Sequence, residues 1–83
     1  MKITNEARQR EKLLLLLREL REKKAIRQVD MAEQLDVPQS FVSKYESGTR
    51  NLDILELRQI CQLLGVSLQE FVKKLEETLN ETK

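Results

Sequence analysis

The sequence predicts an all-α domain of five short helices, and three observations carry that expectation. Only two glycines and one proline interrupt 83 residues, so β-hairpins would lack their usual turns. Apolar residues recur at three- and four-residue intervals, which is the helical period, rather than in alternation. Chain-breaking punctuation then divides the sequence into five blocks joined by connections of a few residues, the arrangement of a compact helical bundle.

The first helix is expected from about Glu6 to Lys24, with Leu13, Leu16, Leu17 and Leu20 on one stripe and Leu14 and Leu15 off it. The second runs from Gln28 to Leu35 and turns Met31, Ala32 and Leu35 inward. The third runs from Gln39 to Ser47. The fourth runs from Ile54 to Leu64 with Leu57, Ile60, Cys61 and Leu64 inward, and Gly65 supplies a left-handed C-cap. Ser67 caps the fifth helix, and Glu70 completes a capping box. Its apolar positions are Leu68, Phe71, Val72, Leu75 and Leu79; Leu68, Phe71 and Val72 are expected to close the core. One domain fills the chain, with its core over 12–76. An N-terminal extension, 1–11, and the tail, 80–83, are expected to fray, most of all Met1–Asn5 and Asn80–Lys83.

Composition excludes several classes of function. Fifteen basic and fourteen acidic residues leave a net charge of +1, too little for a tail that binds nucleic acid through charge alone. Residues 1–50 carry +3 and residues 51–83 carry −2, so an anionic partner is expected to meet the first part of the chain. With no histidine and one cysteine, no histidine or multi-cysteine metal site and no intrachain disulfide can form. No cofactor is expected, and no enzyme, for neither a phosphate-binding glycine loop nor a nucleophile elbow is present. Cys61 falls on an apolar stripe and reads as a core residue. The run Leu13–Leu17 is too short for a membrane span and is flanked by Lys12 and Arg18. A cytoplasmic protein without a targeting segment is the expectation.

The informative stretch is DVPQSFVSKYESGTR, Asp36 to Arg50. A helix as short as Gln39–Ser47 does not hold itself together in water. Only Asp36, Val37 and Pro38 separate it from the helix before, so the two cross steeply as a helix-turn-helix. Met31, Ala32, Leu35, Val37, Val42 and Tyr45 can fill the space between them. On a wheel at about 100° per residue, Gln39, Ser40, Ser43 and Lys44 share the arc opposite Val42 and Tyr45, with Phe41 at its boundary. An amide, two hydroxyls and an ammonium are the groups that read base edges in a major groove.

The stretch QVDMAEQLDVPQSFVSKYESGTRNL resembles the helix-turn-helix of the Cro and phage-repressor (XRE-like) family of bacterial DNA-binding proteins. The likeness runs from about Leu17 to Leu75, and LGVSLQEF matches the family's closing segment. It implies a five-helix, lambda-repressor-like domain that binds double-stranded DNA. By position it implies base contacts from Gln39, Ser40, Ser43 and Lys44. Gln28 would meet a phosphate and brace Gln39. Further phosphate contacts would come from Arg27, Phe41, Ser47, Thr49, Arg50 and Asn51. Arg21 and Glu46 would form a partly buried salt bridge. The sequence departs from the family pattern at Ala25 and Asp36, where glycine is frequent, at Arg27, which leaves the second helix without a Ser or Thr cap, and at Leu52, where proline is common.

The reading is a transcriptional regulator, a repressor, that binds a two-fold symmetric operator as a homodimer. Leu75 and Leu79 would stand at the centre of the dimer interface with Phe71 beside them, and Leu14 and Leu15 at its rim. Alternatives are an antitoxin whose other surface holds a toxin, and a protein-interaction module on the same helices; either would need a protein partner.

Overall fold

The computed structural model describes residues 4–81, and the described residues form five α-helices and no strand. These are α1 (Thr4–Lys23), α2 (Gln28–Leu35), α3 (Gln39–Ser47), α4 (Ile54–Leu63) and α5 (Leu68–Asn80). The protein is all-α. α1 takes in Thr4, Asn5 and residues 6–11, and α5 runs to Asn80. Residues 1–3 and 82–83 lie outside the described residues.

Every helix contributes to one core: Leu16 and Leu17 from α1, Met31 and Ala32 from α2, Val42 and Tyr45 from α3, Ile60 and Cys61 from α4 with Leu64 just after it, and Phe71 from α5. Burial pushes the Cys61 thiol up to about 11, so it stays protonated and unreactive at neutral pH. α2 packs most closely on α3, and α1, α4 and α5 close around them. The fifth helix differs from expectation. Val72 is 40% exposed, whereas Leu75 packs against the core. α5 rests on α1 as well as on α4, and this turns its inward face toward Leu75.

Four helices end in one way. A residue one or two positions past each end enters the left-handed region: Asp36 (φ 59°) and Gly48 (φ 87°) directly after α2 and α3, Ala25 (φ 57°) and Gly65 (φ 79°) two residues after α1 and α4. Its N–H, and that of the following residue, bond back to carbonyls of the last turn. At α2 these are Asp36 N–H to Glu33 at 3.2 Å and Val37 N–H to Ala32 at 3.0 Å, the paired bonds of a Schellman ending. Ile26, Val37 and Val66, which follow three of these turns, pack against the core, so each reversal is fastened by an apolar residue.

At the start of α2 no side chain caps the first-turn N–H groups, as Arg27 in place of Ser or Thr implies, and only the Arg27 backbone N–H is met, by the Asp30 carboxylate at 3.2 Å. Asp53 and Glu56 form a reciprocal capping box on α4, and Ser67 and Glu70 form another on α5.

Ala25 holds a conformation that suits glycine. Ala25→Gly is expected to raise stability by about 1 kcal/mol, roughly 4–8 °C in melting temperature. Thermal unfolding followed by circular dichroism checks this, and an unchanged or lower midpoint contradicts it.

Candidate nucleic-acid interface

The orientation of α3 is set by a buried charge pair. The Arg21 side chain donates to both Glu46 oxygens, at 2.6 and 3.0 Å, and to the Ile26 carbonyl at 2.7 Å. The two side chains are only 9% and 5% exposed. The hydrogen bond to Glu46 pushes the Arg21 guanidinium further up, against the opposing effect of burial. Gln28 Nε2 also donates to Glu46, at 3.0 Å. The expectation that Gln28 braces Gln39 is therefore corrected: its amide is drawn to the carboxylate that ends α3, a stronger acceptor than a neutral amide.

With its buried side fixed, α3 turns Gln39, Ser40, Ser43 and Lys44 to solvent. All four are exposed, and none of their side chains has a partner among the described residues. Pro38 starts the helix with no side-chain cap, which leaves first-turn N–H groups at its positive end.

Phe41 is half-buried, edge-on to Tyr45 at 5.9 Å between ring centres, with the Arg50 guanidinium 4.3 Å above its ring. Its backbone N–H is spent on the Pro38 carbonyl at 2.9 Å. The expected phosphate contact at Phe41 is corrected on that ground: the residue has no donor to offer and serves as a platform for Arg50.

The loop after α3 is internally braced. The Ser47 hydroxyl donates to the Lys44 carbonyl at 3.1 Å and pairs with the Thr49 hydroxyl at 2.9 Å. Arg50 donates to the Asn51 carbonyl at 3.0 Å and to both Glu56 oxygens at 3.2 and 3.0 Å. The bond from Arg50 holds the Glu56 carboxyl below its ordinary value. Arg50 was expected at a phosphate, and the structure engages it as a strut between α3, the loop and α4. Arg27 makes a fork onto Asp30, with both bonds at 3.0 Å, and its side chain remains 76% exposed. Such a water-exposed pair is weak, so a phosphate could displace it.

Three partners escaped the sequence reading. Glu56 was findable, because Asp53-x-x-Glu56 before an apolar run is a capping-box pattern. Asp30, three residues after Arg27, was findable as a helical neighbour. Arg10, which donates to the Asn51 side chain, carried no local signal.

Two short helices packed together across a three-residue turn, with an unpartnered polar face and a braced loop, are the arrangement of a helix-turn-helix DNA-binding domain. Comparison with known proteins agrees: the helix-turn-helix family model matches residues 17–71, and the chain belongs to this Cro- and phage-repressor-type family of DNA-binding transcription regulators. It is 32% identical over 62 residues to the control protein C.MunI from a Mycoplasma species, over 74% of this chain and 84% of that protein. Its fold is similar to that of the clp gene regulator ClgR from Corynebacterium glutamicum, with a TM-score of 0.76 at 24% identity, covering 89% of this chain and 79% of that one. No helix among the described residues is long and apolar enough to cross a membrane.

Two predictions follow from the pairs. Glu46→Ala leaves Arg21 buried and unpaired and is expected to cost about 3–5 kcal/mol, while replacing both partners with apolar residues costs less than either single change; denaturant unfolding measures both. The Glu56 contribution has a definite pH sign. Because its folded value is lowered, the stabilisation is fully present above the ordinary value of 4.5 and is lost as pH falls through the folded value. The melting-temperature gap between the parent and Glu56→Gln is therefore expected to be widest at neutral pH and to close in acid. A gap independent of pH would remove the Arg50–Glu56 pair from the account.

Proposed function

We propose that this protein is a transcriptional repressor that binds a two-fold symmetric operator as a homodimer, reading bases with Gln39, Ser40, Ser43 and Lys44. The observation that carries the reading is the outward arc of α3, whose four polar side chains are exposed and unpartnered while the rest of the helix is fixed by Arg21–Glu46. Glutamine can pair with adenine, lysine with guanine, and serine with several bases. Asn51, with Gln28 and Arg27 at the start of α2, supplies side-chain donors for the phosphate backbone, and Ser47 and Thr49 would join them by turning their hydroxyls out of the loop bonds they make here. The relative's description as a control protein fits a regulator. Repression is the simplest consequence of occupying an operator, since a bound dimer excludes other proteins from it.

The dimer reading is revised. Phe71 is buried in this chain's own core and is withdrawn from the interface, Leu75 packs against that core, and Leu79 lines a groove with Leu13, Leu14 and Leu52. The large apolar side chains left most exposed are Leu15, Ile54, Leu55 and Val72. Three of these lie on α4 and α5, two helices that pack on each other, so the α4–α5 side replaces Leu75 and Leu79 as the centre of the self-association surface. A two-fold dimer would set two copies of α3 about 34 Å apart, one turn of duplex.

Selection of bound duplexes from a random pool tests the reading: a palindromic consensus supports it, and no enrichment contradicts it. Gln39→Ala is expected to lose about 1–3 kcal/mol on the selected site and to relax preference at one base per half-site. Val72→Glu is expected to give a folded monomer by light scattering with weakened operator binding. A parent protein that is monomeric both free and on DNA overturns the dimer.

A further inference from the structure

The N-terminal half of α1 reaches across to the loop after the recognition helix. Arg10 Nη1 donates to Oδ1 of Asn51, 41 residues away in sequence. Its Nη2 donates to Glu6 Oε1 at 3.0 Å, one turn earlier on α1. Asn51 is held a second time through its backbone carbonyl, which accepts from Arg50. Arginine thus occupies both oxygens of this one residue.

The chemistry of the contact fixes the direction of the amide. A guanidinium only donates, so Asn51 must turn its oxygen toward Arg10 and its NH2 group away. Asn51 is exposed, and that NH2 group has no partner among the described residues. A phosphate only accepts. An amide free to rotate would present oxygen or nitrogen to it at random, whereas this one is set with its donors outward. Arg10 is itself tied to Glu6, which tempers its charge and keeps it pointed at the loop.

We propose that Arg10 is a positioning residue for DNA binding, orienting the Asn51 amide so that its NH2 group donates to a backbone phosphate. The inference rests on the reading of the loop as a phosphate contact. It assigns the N-terminal turns of α1 a role in the interface that the sequence pattern does not show.

The test uses the parent, Arg10→Ala, Asn51→Ala, the double variant and Asn51→Asp. All are measured on the duplex the parent selects, over a salt series and well below each melting temperature. Asn51→Ala is expected to lose about tenfold in affinity, the effect of one hydrogen bond to a charged group, and Arg10→Ala a smaller part of it, since the amide can still turn its NH2 group to the phosphate. The double variant is expected to lose the same tenfold, because Arg10 acts through Asn51. The salt slope stays that of the parent, since the donor to the phosphate is neutral. Asn51→Asp keeps an oxygen for Arg10, so it is expected to melt no lower than the parent yet bind no better than Asn51→Ala. A double variant that loses clearly more than Asn51→Ala, with a slope smaller by about one, would mean that Arg10 touches a phosphate itself and overturn the proposal. So would parental affinity in Asn51→Asp. If the parent selects no duplex, the DNA reading fails as well; if the parent binds and the variants match it, only the present proposal fails.

Discussion

The Arg21–Glu46 pair is the contact on which the interface geometry depends. One carboxylate at the end of α3 gathers α1 through Arg21 and the start of α2 through Gln28, and Arg21 also holds the Ile26 carbonyl in the turn between those helices. Two charges this deeply buried need nearly all their hydrogen-bonding capacity met before attraction offsets lost hydration. Apolar packing alone would let α3 rotate or slide by small amounts with little change in buried area. A forked bond has one geometry, and it fixes which arc of α3 faces outward. Gln39, Ser40, Ser43 and Lys44 can therefore be left without partners and still be held in place.

The reversals between helices show a second economy. Four of them use the same two backbone bonds and a left-handed residue, though only two of those residues are glycine. Aspartate tolerates this region better than most side chains, and alanine does not. The strain at Ala25 and Asp36 persists because Ile26 and Val37, immediately after, are packed against the core. Burial of these residues outweighs a local conformational penalty of about 1–2 kcal/mol.

Much of the fold was legible because it is written in local periodicity. The leucine stripe of α1, the three-residue connection before α3 and the Ser67–Glu70 box depend only on neighbours in sequence. What was not legible depends on how helices lie against one another. Val72 and Leu75 sit on the same apolar stripe, and only the angle at which α5 meets α1 decides which is buried. Gln28 was expected to face Gln39, but Glu46 is within its reach and carries a charge. The arc of α3 followed from a helical wheel because Val42 and Tyr45 mark its inner side. The Arg10–Asn51 contact spans 41 residues and has no local trace.

The pairing of arginines gives the near-neutral charge a mechanistic meaning. Arg10, Arg18, Arg21, Arg27 and Arg50 each hold a carboxylate within the chain, while Lys44 stands on the recognition arc without one. A phosphate approaching this surface has to compete with Asp30 for Arg27 and with Glu56 for Arg50. The competition is easy at Arg27, whose pair is open to water, and harder at Arg50, which also bonds a carbonyl and lies over Phe41. Sequence-independent attraction grows with the number of cations free to release counterions from DNA, and these five pairs lower the share that the arginines contribute. In this domain two of the arginines flanking the outward arc of α3, Arg27 and Arg50, are thus already engaged by carboxylates of the same chain, one loosely and one tightly.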